Sequence, residues 1–153
     1  YLQALIASKN DLKSFRKSGQ RRDLNREKFD ANTLILKLQD PNSRESKNLR
    51  FIKKAMKVRR KIDAFHPDQP MACLSKGRGD LVIIRRGEGD NTLWALHNMT
   101  NSKLCFPFIA GLNLKDEKIT LWEECLTGSI ISQKRIDLEP YSVHWLRKSM
   151  KKQ

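Results

Sequence analysis

The chain changes character at Ala64-Phe65-His66-Pro67, and that change limits what it can fold into. Upstream, the sequence is basic and reads as helices joined by polar loops. Downstream come short apolar runs separated by turn signals, ending in Leu138-Glu139-Pro140-Tyr141-Ser142-Val143-His144-Trp145-Leu146. A helical period gives way to alternation, so one part packs helices and the other builds an antiparallel sheet. Pro67 and Pro70 close the helical half, because proline cannot continue a helix. Tyr1-Leu2-Gln3-Ala4-Leu5-Ile6 reads as the end of a buried element, and we expect the chain to be the tail of a larger protein.

Within the helical half, Asn10 or Asp11 is placed to cap a short helix, and 18–23 reads as a loop. Asp30 caps a segment 31–38 in which Leu34 and Leu38 share a face. Asp40-Pro41 breaks the chain, since the residue before proline avoids helical geometry. Ser43 or Asn42 then starts the clearest helix, running to about Ile62. Leu49, Ile52, Ala55 and Met56 give it an apolar stripe that Arg59 interrupts and Ile62 resumes. Beyond Pro70, strands are expected at 71–74, 80–86, 92–98, 104–108, 118–122, 128–131 and 141–146. Gly87 to Asn91 is expected to join two of them as a hairpin connection. In the last strand, alternation puts Tyr141, Val143 and Trp145 on one face. The expected class is α+β, with a small antiparallel sandwich at the C-terminal end.

Charge is uneven. Residues 1–64 carry 18 Lys/Arg against 7 Asp/Glu, and the remainder 13 against 10, so +11 of the net +14 lies in the helical half. Such an excess suits a nucleic-acid surface, or one side of a larger protein whose acidic remainder lies elsewhere. Aromatic residues are not interleaved with the basic stretch as a stacking surface requires, which disfavours nucleic acid. No apolar run approaches the ~20 residues of a spanning helix, and the apolar start lacks a basic leader. A cytoplasmic location, away from membranes, is the expectation.

The three cysteines, Cys73, Cys105 and Cys125, include no Cys-x-x-Cys pair and read as buried free thiols. Asn98-Met99-Thr100 is a weak glycosylation signal. His66, His97 and His144 lack acidic or thiol neighbours at ligand spacing, so no metal and no cofactor is expected. His66, between Phe65 and Pro67, reads as a packed or capping histidine. Gly77-Arg78-Gly79 and Gly87-Glu88-Gly89 are turns, not phosphate loops. Glu123 and Glu124 point to opposite faces of a strand, a poor acid/base pair. Trp94, Trp122, Tyr141 and Trp145 read mostly as core, with an aromatic sugar platform as the lesser reading. Three arginines in six residues, Arg21-Arg22-Asp23-Leu24-Asn25-Arg26, are the exception. Their forked donors suit carboxylates, phosphates and paired hydroxyls.

The run Tyr1 to Asp11, followed by Arg22-Asp23-Leu24-Asn25-Arg26, resembles the end of the catalytic barrel in the sucrose phosphorylase-like branch of the α-amylase superfamily. Arg59 through Ala64-Phe65-His66-Pro67, Leu96-His97-Asn98, Leu126-Thr127-Gly128 and Leu138-Glu139-Pro140-Tyr141 to Trp145-Leu146 resemble that branch's junction and C-terminal β-domain. The resemblance implies that 1–66 ends a (β/α)8 barrel, with Tyr1-Leu2 the last of its eighth strand, and that 67–153 is the β-domain. It implies retaining transfer of a glucosyl unit from an α-glucoside, such as sucrose or glucosylglycerate, to inorganic phosphate, giving α-glucose 1-phosphate. The glucoside and phosphate would be bound by the complete barrel, whose missing N-terminal part is the structural partner. The nucleophile, acid/base and stabilising carboxylates lie on earlier strands, so no catalytic residue lies in this chain and the chain alone is expected to be inactive. Asp11 and Asp23 do not match them. Arg22 matches the arginine that contacts the glucosyl unit, with Asn25 and Arg26 as weaker loop candidates. The alternatives are a non-enzymatic basic nucleic-acid-binding module and a catalytically dead remnant.

Overall fold

The computed structural model describes residues 2–75, 77–107, 121–132 and 134–149. The chain forms two compact units, Tyr1–Lys57 and Val58–Gln153.

The first unit is helical. It holds α1 (Leu2–Leu5), α2 (Leu12–Ser18), a 3-10 stretch Arg21–Asn25, α3 (Ala31–Gln39) and α4 (Arg44–Arg59), whose last two residues fall in the second unit. The expected caps form. Asp11 accepts from the Ser14 amide at 2.9 Å and Asp30 from the Thr33 amide at 2.8 Å. Ser43 Oγ accepts from the Ser46 amide at 3.0 Å. Each satisfies a backbone donor that a helix start leaves without a partner. Gly19, with φ +68°, ends α2 in the left-handed conformation, its N–H donating to Phe15 O at 2.8 Å.

Leu2 is helical here rather than the end of a strand, and Tyr1 lies outside the described residues. A lone strand end has no neighbour for its amides. A local turn supplies one, with Ile6 N–H donating to Leu2 O and Ser8 N–H to Gln3 O. Leu49, Ile52 and Ala55 are half-buried on α4, whereas Met56, expected beside them, is 48% exposed. The helix also stops short of Ile62. That residue has φ −117° and ψ 109°, and leads into a 3-10 turn Asp63–Phe65 that joins the core of the second unit.

The second unit is a two-sheet sandwich. Six strands, β1 (Met71–Cys73), β2 (Leu81–Arg86), β3 (Leu93–Asn98), β5 (Trp122–Glu124), β6 (Ser129–Ile131) and β8 (Val143–Lys148), form one sheet in the order β1-β2-β3-β8-β5-β6. β4 (Leu104–Pro107) and β7 (Arg135–Leu138) form the other, and every pairing among the described residues is antiparallel. Leu81, Ile83, Trp94, Leu96, Trp122 and Leu146 meet Phe106, Ile136 and Leu138 between the sheets. The opposite face of β3 is buried too. Leu93 and Ala95 pack with Ile62, Ala64 and Phe65, and Phe65 lies 4.7 Å from Trp145, tilted by 57°. Complete burial of one large apolar side chain contributes about 1.5–3 kcal/mol, so β3, covered on both faces, anchors the unit.

The sequence strands are recovered with local shifts. Positions 108 and 118–120 lie outside the described residues, and β5 runs on to Glu124. β7 was not foreseen. Tyr141 does not continue β8. It stands in a turn with φ 54° and is 68% exposed, away from the face of Val143 and Trp145. Trp94 and Trp122 are buried and Trp145 packs on Phe65, which supports the core reading for the tryptophans. Cys73 and Cys105 are exposed rather than buried, because each occupies an outward position of a short strand. Cys125 is half-buried, and burial pushes its thiol up to about 11.

Gly87 closes the connection from β2 to β3 at φ +75°. A Cβ there would lie 2.4 Å from Asn91 O and 3.2 Å from Ala64 Cβ. Gly87→Ala is expected to cost about 2–4 kcal/mol, combining left-handed strain with a backbone clash. A fall in the urea midpoint of tryptophan fluorescence checks this, since Trp94, Trp122 and Trp145 all lie in the second unit.

Candidate functional site: the arginine loop

The arginine cluster of the first unit is ordered as a 3-10 turn rather than an irregular loop. Asp11 holds both ends of the preceding segment. Its carboxylate caps α2, and its own N–H donates to Leu24 O at 2.7 Å. The Ser14 hydroxyl and then the Ser14 amide hold the Asp11 carboxyl below its ordinary range. Ser18 Oγ donates to Asp23 Oδ2 at 2.5 Å, and Arg26 N–H returns to Asp23 O at 3.2 Å. Lys9 N–H donates to Glu27 Oε2 at 3.0 Å. Both aspartates of the segment therefore shape it.

Arg22 projects from this turn into solvent, its Nε donating to Gln20 Oε1 at 2.8 Å. Among the described residues no carboxylate lies within ion-pair distance of it, so its remaining N–H donors face outward. Asn25 and Arg26 are exposed on the same turn. The structure thus brings Arg22, Asn25 and Arg26 together. The turn can offer charge-assisted donors to hydroxyls or anions.

Other chemistry-bearing residues serve the fold. Glu123 pairs with Arg147 at 2.9 Å. Glu124 is 3% exposed and accepts from the amides of Thr127 at 2.7 Å and Trp145 at 3.0 Å. Asn98, 2% exposed, is built into the joint between the sheets, which is incompatible with a glycan on its amide. His66 is exposed and does not pack, but it caps the 3-10 turn Asp63–Phe65, its N–H donating to Asp63 O at 2.8 Å, and its Nδ1 lies 3.5 Å from Asp68 Oδ2.

His97 and His144 sit half-buried on adjacent strands β3 and β8. Burial lowers the pKa of both, with nearby Glu124 opposing the shift at His144. The unfolded chain then binds protons that the folded unit refuses. Their contribution is present above the ordinary histidine range near 6.5 and is lost as pH falls through the lower folded values. Unfolding followed by tryptophan fluorescence should show stability falling as pH drops from about 7 to about 5. His97→Gln with His144→Gln should flatten that slope.

Part of this fold is shared with enzymes of the α-amylase superfamily. AmyP in complex with maltose aligns with TM-score 0.57 and 14% identity over 69% of this chain and 21% of its own. A MutB mutant in complex with sucrose aligns with TM-score 0.54 and 13% identity over 75% of this chain and 19% of its own. No protein-family model matches the chain.

The sequence relatives are more specific. A glucosylglycerate phosphorylase of Allomeiothermus silvanus is 37% identical over 101 residues, 66% of this chain and 18% of the relative. A glucosylglycerate phosphorylase of Escherichia coli is 24% identical over 147 residues, 96% of this chain and 25% of the relative. The chain resembles the sucrose phosphorylase-like branch of the α-amylase superfamily in sequence and in fold. It spans at most about a quarter of the length of these two curated relatives.

Proposed function

We propose that this chain is the C-terminal part of a retaining glucoside phosphorylase, with 1–66 the end of a (β/α)8 barrel and 67–153 a β-domain. The observation that carries the reading is the 37% identity to a glucosylglycerate phosphorylase. The names of the relatives favour glucosylglycerate over sucrose as donor.

The chemistry divides between the two parts of the protein. On the upstream strands, a carboxylate attacks the anomeric carbon while a carboxylic acid protonates the departing glycosidic oxygen. Phosphate then displaces the carboxylate, and the two inversions sum to retention. Arg22 belongs to donor binding. Its planar fork donates to glucosyl hydroxyls from a turn already ordered by Asp11 and Asp23, so little backbone freedom remains to be lost. Asn25 and Arg26 shape the same turn. No cofactor or metal is needed for this route, and the cytoplasm is the expected location. Among the described residues no helix is long and apolar enough to cross a membrane.

In the complete enzyme, Arg22→Ala should cost about 1.5–3 kcal/mol in donor kcat/KM, a loss of roughly 10- to 150-fold. Arg22→Lys should recover only part of this. Unchanged donor kinetics in Arg22→Ala would remove Arg22 from the site. Extending the reading frame upstream of Tyr1 provides an independent check, since two aspartates and a glutamate must stand on barrel strands there.

A further inference from the structure

From Ser46 to Ile62 the sequence contains no acidic residue. Within the first unit, α4 places Lys47, Arg50, Lys53, Lys54 and Lys57 on this stretch, and all five are exposed. At ~100° per residue they fall within an arc of about 120° and along about 15 Å of helix. Among the described residues no carboxylate lies within ion-pair distance of any of them. Arg50 also donates to Pro41 O, which fixes one member of the row. The half-buried Leu49, Ile52 and Ala55 occupy the opposite side of the helix, and buried Ser46 enters the arc at its N-terminal end.

Five aligned cations without a compensating acid form a strong local field that asks for a counter-charge of matching length. The partner's chemistry can be narrowed. A protein interface would want an apolar or aromatic centre, and the arc has none. A lipid surface would want apolar side chains inserted from the same face, yet exposed Phe51 and Met56 fall outside the arc on opposite sides. The lack of stacking aromatics, which argues against single strands, is no obstacle to contact with a phosphate backbone alone. We propose that this face of α4 docks on the backbone of duplex nucleic acid without reading its sequence. The property is additional to glucosyl transfer and does not rest on it.

The test is fluorescence anisotropy of the full chain with a mixed-sequence DNA duplex of about 20 base pairs, at several salt concentrations. Five contacts give a slope of log K against log salt near −4.5, a loss of roughly 140-fold between about 50 and about 150 mM salt. Replacing Lys53, Lys54 and Lys57 together by glutamine should bring the slope to about −2 and cut the loss over the same salt range to roughly 7-fold. The control removes the same charge elsewhere, with Arg85, Lys134 and Arg135 replaced by glutamine in the β-unit, and should bind as the parent does. Circular dichroism verifies that both variants keep their helices. Equal weakening in the two variants would reduce the effect to net charge and overturn the proposal. Binding to phosphatidylserine vesicles or to inorganic polyphosphate without binding to the duplex would also overturn it.

Discussion

Asn98→Asp is expected to cost the β-unit about 4 kcal/mol or more near pH 7, a large part of a small domain's whole stability. The side chain ties three segments. Its Nδ2 donates to Ser102 O at 2.7 Å and to Leu138 O and Glu139 O, both at 3.0 Å. Its Oδ1 accepts from the Thr100 amide at 2.9 Å and the Thr100 hydroxyl at 2.8 Å. Asparagine alone offers both a donor and an acceptor at these atoms with this shape. An aspartate keeps the Thr100 side and turns a carboxylate oxygen on three carbonyls in a buried site, where the repulsion is poorly screened. Protonating the introduced carboxyl restores one donor, and burial raises its folded pKa above the ordinary value near 3.9. The unfolded chain then binds fewer protons than the folded one in the intervening window. The deficit relative to the parent protein must therefore shrink as pH falls from about 7 towards about 4. Unfolding of both proteins across that range, followed by tryptophan fluorescence, measures it. A deficit independent of pH would mean that carbonyl repulsion is not its cause.

Removal of the Glu124 carboxylate should be nearly as damaging. Glu124→Ala leaves the amides of Leu126, Thr127 and Trp145 without the acceptor they now share, along with the Thr127 hydroxyl. A buried donor left without a partner costs about 1–3 kcal/mol, and these effects are not additive, so about 3–5 kcal/mol is expected in total. Glu124→Gln keeps one carbonyl oxygen and should lose about half as much. The order parent, Gln, Ala in urea midpoint is the prediction, and equal midpoints for Gln and Ala would contradict it. The carboxylate holds the turn after β5 against the backbone of β8, so its loss should open that edge of the sheet first. Faster exchange of the Thr127 and Trp145 amides, compared with those of β2, would register the opening.

Much of this fold could be read along the chain, for local physical reasons. Asp11, Asp30 and Ser43 act as caps because a short side-chain oxygen at a helix start has only a few amides within reach. β2 and β3 were found because Gly87 to Asn91 supplies the turn that lets adjacent runs pair. What escaped depends on contacts distant in sequence. β7 carries an alternation of its own in Arg135-Ile136-Asp137-Leu138, but a four-residue run became a strand only by pairing with β4 across a long connection. Ile62 left the helical pattern because the sheet's second face needed Ile62, Ala64 and Phe65 as cover. Glu124 and Asn98 combine partners a few residues away with Trp145, Leu138 and Glu139, and it is these distant partners that the sequence does not announce.

The site was legible in a narrower sense. The density of arginines marked 21–26, and the structure adds the ordered turn and the outward course of Arg22. The sugar-binding role comes from the resemblance and remains part of the proposal, because a guanidinium at a surface turn suits many anions and hydroxyls. The tryptophans show the reverse case. Alternation placed them in the core, where Trp94 and Trp122 are found, while Tyr141 was carried out of the strand by a left-handed turn.

The proposed phosphate-dependent glucosyl transfer is measured with the complete protein, glucosylglycerate and inorganic phosphate. Release of α-glucose 1-phosphate is expected to require phosphate and to scale with it until saturation, with the α configuration kept. Release of free glucose at the same rate with and without phosphate would make the protein a hydrolase. No turnover of either glucosylglycerate or sucrose by the folded protein would contradict the account outright.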